Sequence, residues 1–252
     1  MGSRKKSKLL RKLKPWKERF FQFIMLFLAV TLGFFAENYR DDFTEKVKMK
    51  QYARALYDDL KNDTAIIQRT TDEKAWIWSK LDSAEVIISL NQLTDNNEFI
   101  YYIERFITLN DVFTSQNVTY QQLQSSGNFR YMKNVALYKQ IAAYYNLYSR
   151  YQLIDVMNGL ADKPEISLME SKLFNINDLM SLNNDAAHNF YTLVNYPERK
   201  FEPIINDKEN LALLHLQIAN AKIRVNHAYS FLSWLKRDAT ALIIALKEEY
   251  KL

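Results

Sequence analysis

The 252 residues contain no cysteine, which excludes disulfides, thiolate metal sites and thiol nucleophiles together and leaves the redox compartment open. Glycine and proline are nearly as scarce, at four each, and from Glu37 onward only Gly127, Gly159, Pro164, Pro197 and Pro203 remain. That is too little turn chemistry for a sandwich, a barrel or a dinucleotide-binding unit, and no glycine loop can cradle a phosphate. Histidine is limited to His188, His215 and His227. The last two are 12 apart, about 120° around a helix, and neither the H-E-x-x-H nor the Glu-x-x-His pattern occurs. Acidic pairs such as Asp58-Asp59 and Glu248-Glu249 sit near lysines, the dress of a solvated helix surface. No catalytic residue, metal ligand or cofactor is therefore assigned, and the chain is not read as an enzyme.

What is present is apolar surface, 48% of residues, with 14% aromatic, enough for one sizeable core. With so few breakers, the expected fold is all-α.

Charge is distributed unevenly. Residues 1–19 hold nine Lys or Arg against Glu18, a net +8, which leaves −3 for the remainder of a chain whose total is +5. Those cations directly precede Phe20 to Ala36, FFQFIMLFLAVTLGFFA, a run without formal charge. At 1.5 Å per residue the run covers about 25 Å, slightly short of a hydrocarbon core of about 30 Å. Trp16 and Tyr39 are placed to sit at the two interfaces. A cleaved signal would put Phe34 where a small residue belongs, and a core helix has no use for the basic flank, so the run is expected to be a membrane anchor.

Nine cations before the span against five soon after it (Arg40, Lys46, Lys48, Lys50, Arg54) place the tail in the cytoplasm. The expected layout is a basic cytoplasmic tail (1–19), a transmembrane helix (20–36) and an extracytoplasmic helical domain (37–252), single-pass in the inner membrane. The lipid bilayer is then a partner. Arg4, Lys5, Lys6, Lys8, Arg11, Lys12, Lys14, Trp16, Lys17 and Arg19 are its expected surface contacts, although a pure topology signal explains the same cations. With Trp16 as the tail's one aromatic, directly beside a span, nucleic acid is not an expected partner. Within the span, Gln22, Ala29, Gly33 and Ala36 share one face through spacings of 7, 4 and 3. Small residues there admit a second helix, from a copy of the chain or another membrane protein, as the alternative to lipid.

Two heptad-like seams organise the rest. Leu211, Leu214, Ile218, Ala221, Val225, Ala228, Leu232, Leu235, Ala239, Leu242 and Leu246 alternate spacings of 3 and 4, and Asn206 with Glu209 supplies a start resembling a capping box. Met49, Ala53, Leu56, Leu60, Asp63, Ile67, Thr70, Lys74, Ile77, Leu81, Ala84 and Ile88 repeat the rhythm, interrupted by three polar residues. No Gly or Pro separates Gly33 from Gly127, so the span is expected to continue into this helix as a stalk. Antiparallel pairing would bury both seams, with shorter helices at 97–109, 118–124, 134–159, 167–174 and 178–194 completing a bundle. Ser126-Gly127 marks a stop, and Asn134 and Asn177 are caps. Tyr138, Tyr144, Tyr145, Tyr148 and Tyr151 cover more than one face of the middle helix, either as core or as a partner surface.

Three stretches carry a resemblance: Leu32-Gly-Phe-Phe-Ala-Glu-Asn38, Leu56-Tyr-Asp-Asp-Leu-Lys-Asn-Asp63, and Thr119-Tyr-Gln-Gln-Leu-Gln-Ser-Ser-Gly-Asn-Phe-Arg-Tyr-Met-Lys-Asn134 followed by Leu137, Ile141 and Tyr144-Tyr145. Over roughly residues 20–150 the chain resembles an uncharacterised family of single-span helical envelope proteins of the Bacteroidota. The resemblance implies a bacterial envelope context and no chemistry. The expected function is a non-enzymatic structural or interaction subunit of an envelope assembly. The alternative is a sensor that signals through its span to a separate partner, because a tail of about 19 residues has no room for an output domain.

Overall fold

In the computed structural model the backbone is described for residues 3–108, 113–161, 163–186, 200–205 and 207–252, and side chains for 16–104, 113–154, 167–182, 200–205 and 207–252. All regular structure among them is helical, without a strand. The helices are α1 (Ser3–Ser89), α2 (Asn97–Thr108), α3 (Val118–Ser125), α4 (Val135–Ala161), α5 (Lys163–Leu173), α6 (Ile176–Ala186) and α7 (Lys208–Tyr250), with short 3₁₀ turns at Thr94–Asn96 and Asn128–Tyr131.

The expected continuity of the apolar run with the first seam is observed: α1 is one helix of 87 residues, about 130 Å long at 1.5 Å per residue. It stops in a Schellman arrangement, with the Gln92 N–H donating to the Ile87 carbonyl and Asn91 left-handed at φ 52°. Helix α7 ends similarly on Lys251 at φ 50°.

The two long helices pair antiparallel. Lys222 of α7 donates to Asp82 and Glu85 of α1, Lys236 to Gln68, and Lys50 to the carbonyl of Lys251, so ascending positions on one helix meet descending positions on the other. Both seams face inward. Every member is buried except Leu211, Val225 and Ile88, which are partly buried against the same core. The polar members are buried too: Asp63 is fully enclosed, and Thr70 and Lys74 nearly so. Thr70 satisfies its hydroxyl on the Ile66 carbonyl at 3.0 Å.

The core falls into two clusters along this pair. One joins Met49–Ile67 of α1 to Ala228–Leu246 of α7, with Phe113, Leu123 and the tyrosines of α4. The other joins Ile77–Ala84 to Leu214–Ala221, with residues of α2, α5, α6 and the 201–204 segment. Between them on α1 lie the buried Thr70, Glu73 and Lys74.

Two caps fall one or two residues from the expected positions. Asp207, rather than Asn206, caps α7: its carboxylate accepts from the Glu209 N–H at 3.0 Å and from the Asn210 side chain at 2.7 Å. Asn206 itself lies outside the described residues. Asn175, rather than Asn177, caps α6 by accepting from the Asn177 N–H at 2.9 Å. Asn134 caps α4 through the Leu137 N–H at 3.1 Å, and Gly127 turns the chain after α3 at φ 68°.

Candidate functional site

Two features of α1 stand apart from ordinary packing: its apolar run has no partner among the described residues, and its later part carries carboxylates into the core.

The apolar half is long and apolar enough to cross a membrane, and none of its most hydrophobic window is buried. Leu26, Phe21 and Phe35 are each about two-thirds exposed, at 67%, 64% and 65%. Side chains of that size exposed on all sides of a helix call for an apolar medium or an apolar partner. The one hydroxyl in the run besides the Gln22 amide is satisfied locally, Thr31 Oγ1 donating to the Phe27 carbonyl at 2.8 Å. Gln22, Ala29, Gly33 and Ala36 are all exposed, and a Cβ added at Gly33 would meet nothing within 4 Å. That face is open to lipid or to another helix. Trp16, stacked on Phe20 at 5.7 Å, Lys17 and Arg19 are exposed at the start. Arg4, Lys5, Lys6, Lys8, Arg11, Lys12 and Lys14 lie on the helical backbone of α1, with their side chains outside the described residues.

Of the two readings open for the tyrosines of α4, core or partner surface, the fold places most of them in the core. Tyr144, Tyr145, Tyr148 and Tyr151 are buried; only Tyr138 is open, at 40%, with its ring edge-on to Phe129 at 5.1 Å. They cover several faces because α4 is enclosed by different neighbours. Tyr145 stacks on Tyr120 of α3 at 4.1 Å, Tyr148 meets Phe113 at 5.6 Å, and Tyr151 reaches Phe231 of α7 at 6.2 Å.

These rings surround Asp63. Its carboxylate accepts from the Ser115 hydroxyl at 2.5 Å, the Tyr144 hydroxyl at 2.8 Å and the Gln116 N–H at 2.8 Å. The Tyr151 hydroxyl accepts from the Phe113 N–H at 3.3 Å. The chain between α2 and α3 is thus strapped to α1 and α4 at residues 113–116. Burial, then the Asp63 charge, pushes the Tyr144 phenol far above its ordinary value, so it stays a donor. Tyr145 is pushed up by burial, then by Asp63 and Asp59.

One turn before Asp63, Asp59 departs from the solvated-surface expectation. Its Oδ2 is sealed from water without a hydrogen-bond partner, and the Tyr145 hydroxyl is likewise unpartnered. Burial raises the Asp59 pKa, helped by Asp63 and Asp58, while the Thr119 hydroxyl and N–H oppose the rise. The cluster has the acceptors to hold a chain segment and a proton. Nothing in the spacing of single residues signalled it, although two of the stretches that carry the family resemblance, 56–63 and 119–134 with Tyr144-Tyr145, converge here.

The histidines do not assemble. His215 Nε2 lies 3.5 Å from Glu85 at the α1–α7 surface, His227 is exposed, and His188 is outside the described residues. Among the described residues no group of three His, Cys, Asp or Glu side chains is placed to hold a metal. Comparison with family models, with curated proteins and with solved structures finds no match to the chain.

Proposed function

We propose that this protein is a membrane-anchored, non-enzymatic structural or interaction subunit of a bacterial envelope assembly. In this reading Phe20–Ala36 crosses the inner membrane, the basic tail remains in the cytoplasm, and residues 37–252 form a helical bundle in the periplasm or outside the cell. The observation that carries it is the continuity of α1: a run at residues 20–36 that is exposed on all sides, apolar and uncharged continues unbroken into a stretch whose seam is buried against α7. An anchor of that kind fixes the position of the domain relative to the bilayer, and the domain offers helix faces rather than an assembled chemical site.

The absence of cysteine makes the topology directly measurable. In intact spheroplasts a membrane-impermeant maleimide is expected to label Ser125→Cys and to spare Ser3→Cys until the membrane is opened. The reverse pattern, or recovery of the protein in the soluble fraction, refutes the reading. The same unbroken α1 favours a sensor as the second reading, since a shift of α1 against α7 would travel along one helix into the span. In-membrane cross-linking separates the two: a subunit gives a stoichiometric envelope partner in fixed geometry, a sensor gives cross-links whose pattern changes with conditions.

A further inference from the structure

Asp59 and Asp63 lie four residues apart on one face of α1, both turned toward the strap and the tyrosines of α4, yet their oxygens are treated oppositely. Asp63 receives three donors, which an ionised carboxylate satisfies and a protonated one does not. Asp59, half-buried, takes the Thr119 hydroxyl and N–H on its carboxylate yet leaves Oδ2 enclosed without a donor, and the Tyr145 hydroxyl of α4, 3% exposed, is without a partner too. The groups acting on Asp59 and its surroundings are Asp58 and Asp63 from α1, Thr119 from α3, and the phenols Tyr120, Tyr144 and Tyr145; α7 closes the core nearby with Leu242 and Leu246. No cation stands among the groups acting on Asp59, Tyr144 or Tyr145. A carboxylate oxygen sealed from water without a donor, one turn from the buried Asp63 and among neutral neighbours, is relieved by a proton.

We propose that Asp59 holds a proton on its enclosed Oδ2, and that this proton keeps residues 113–125 seated against α1 and α4, so that the strap loosens as the pH rises. Protonated, Asp59 no longer sets a negative charge one turn from Asp63, and its O–H can donate within the enclosed pocket, to the Tyr145 oxygen directly or through a water. Ionised, it leaves two negative charges under the strap.

The sign follows from burial. The folded state holds this proton more tightly than the unfolded chain, whose aspartate has the ordinary value of 3.8. The contribution is complete below that value and is lost as pH rises through the folded one. This inference rests on the enclosed Asp59 oxygen and its neighbours alone and stands whether or not α1 crosses a membrane.

The test is hydrogen exchange on the full chain in detergent micelles between about pH 4 and about pH 8, with rates corrected for intrinsic chemistry. Protection of amides 115–121 in the native chain is expected to fall by up to about tenfold per pH unit across the titration, while α2 amides at 97–104 keep theirs. Asp59→Asn, which supplies a permanent neutral donor, is expected to flatten that dependence and raise protection at neutral pH. A native strap whose protection is independent of pH overturns the proposal without any variant. So does an Asp59→Asn chain that retains the native slope or loses protection at neutral pH.

Discussion

The two halves of α1 have the same backbone and opposite surroundings. From Phe20 to Ala36 the helix is uncharged and exposed among the described residues; from Met49 to Ala84 it is apolar on one stripe, and that stripe is enclosed. A stripe of about 100° is what a neighbouring helix covers, whereas apolarity all round asks for a solvent that is itself apolar. The comparison shows that hydrophobicity alone does not decide where a helix goes. Its angular distribution does. Between the two regions, residues 37–48 carry Tyr39 at 77% and Phe43 at 60% exposure among Glu37, Asp41, Asp42 and Glu45, an exposed segment on which aromatic and acidic side chains mix.

The sharpest way to break the comparison is to put a charge in the first half. Leu28→Arg places a guanidinium near the middle of the run, where insertion costs about 2.5–3.5 kcal/mol, a large penalty for a span already slightly short. The variant is expected to shift from the carbonate-resistant membrane fraction to the extractable one. The same charge at Val47, beyond the run, is expected to leave the fraction unchanged.

The second half is broken by volume instead. Leu235 of α7 is fully buried in the cluster shared with Leu60 and Ile67. Leu235→Ala removes its contacts and leaves a cavity, for an expected loss of about 2–5 kcal/mol in chemical unfolding of the micelle-bound chain. Leu26→Ala, the same deletion at a side chain 67% exposed, is expected to leave that unfolding curve where it was.

Much of this division was legible in the sequence. The spacings of 3 and 4 identified both buried seams because each seam residue repeats one geometric demand, and the demand is visible locally. Asp63, Thr70 and Lys74 read as flaws in the seam for the same reason. The donors that make Asp63 tolerable come from Ser115, Gln116 and Tyr144, more than fifty residues away, and no local pattern announces them. The tyrosines of α4 were ambiguous because a helix enclosed by several neighbours loses its periodicity. Along the sequence the 200–205 segment is marked only by Pro203. In the fold, the buried Asn97 amide donates to the carbonyls of Phe201 and Glu202 and its oxygen accepts from the Ile204 N–H at 2.9 Å, while the Phe201 ring stacks on Tyr101 at 4.7 Å. One asparagine facing three backbone groups is a tertiary event, and a sequence read along its length shows only the asparagine.

The smallest effect expected lies at the other end of the α1–α7 pair, and its pH dependence should run opposite to that of Asp59. Lys222 sits 2.8 Å from Asp82, bonds Glu85, and passes 5.1 Å from the Trp78 ring, with its side chain 16% exposed. The Lys222 hydrogen bond is the largest of the influences holding Glu85 below its ordinary value of 4.5. A carboxyl so lowered contributes above that value and loses its contribution as pH falls through the folded one, whereas Asp59 loses its contribution as pH rises. Both carboxylates are substantially open to water, Asp82 at 60% and Glu85 at 36%, so the cluster belongs with surface ion pairs rather than buried ones. Lys222→Met keeps the aliphatic stem over Trp78 and removes only the charge. The expected loss is about 0.5–1 kcal/mol at neutral pH and low salt, shrinking as ionic strength shortens the range of the interaction. Unfolding curves of the two chains should converge in strong acid and in high salt; a difference that persists in both would mean that Lys222 acts through packing, and that the charge across these two helices contributes nothing to holding them in register.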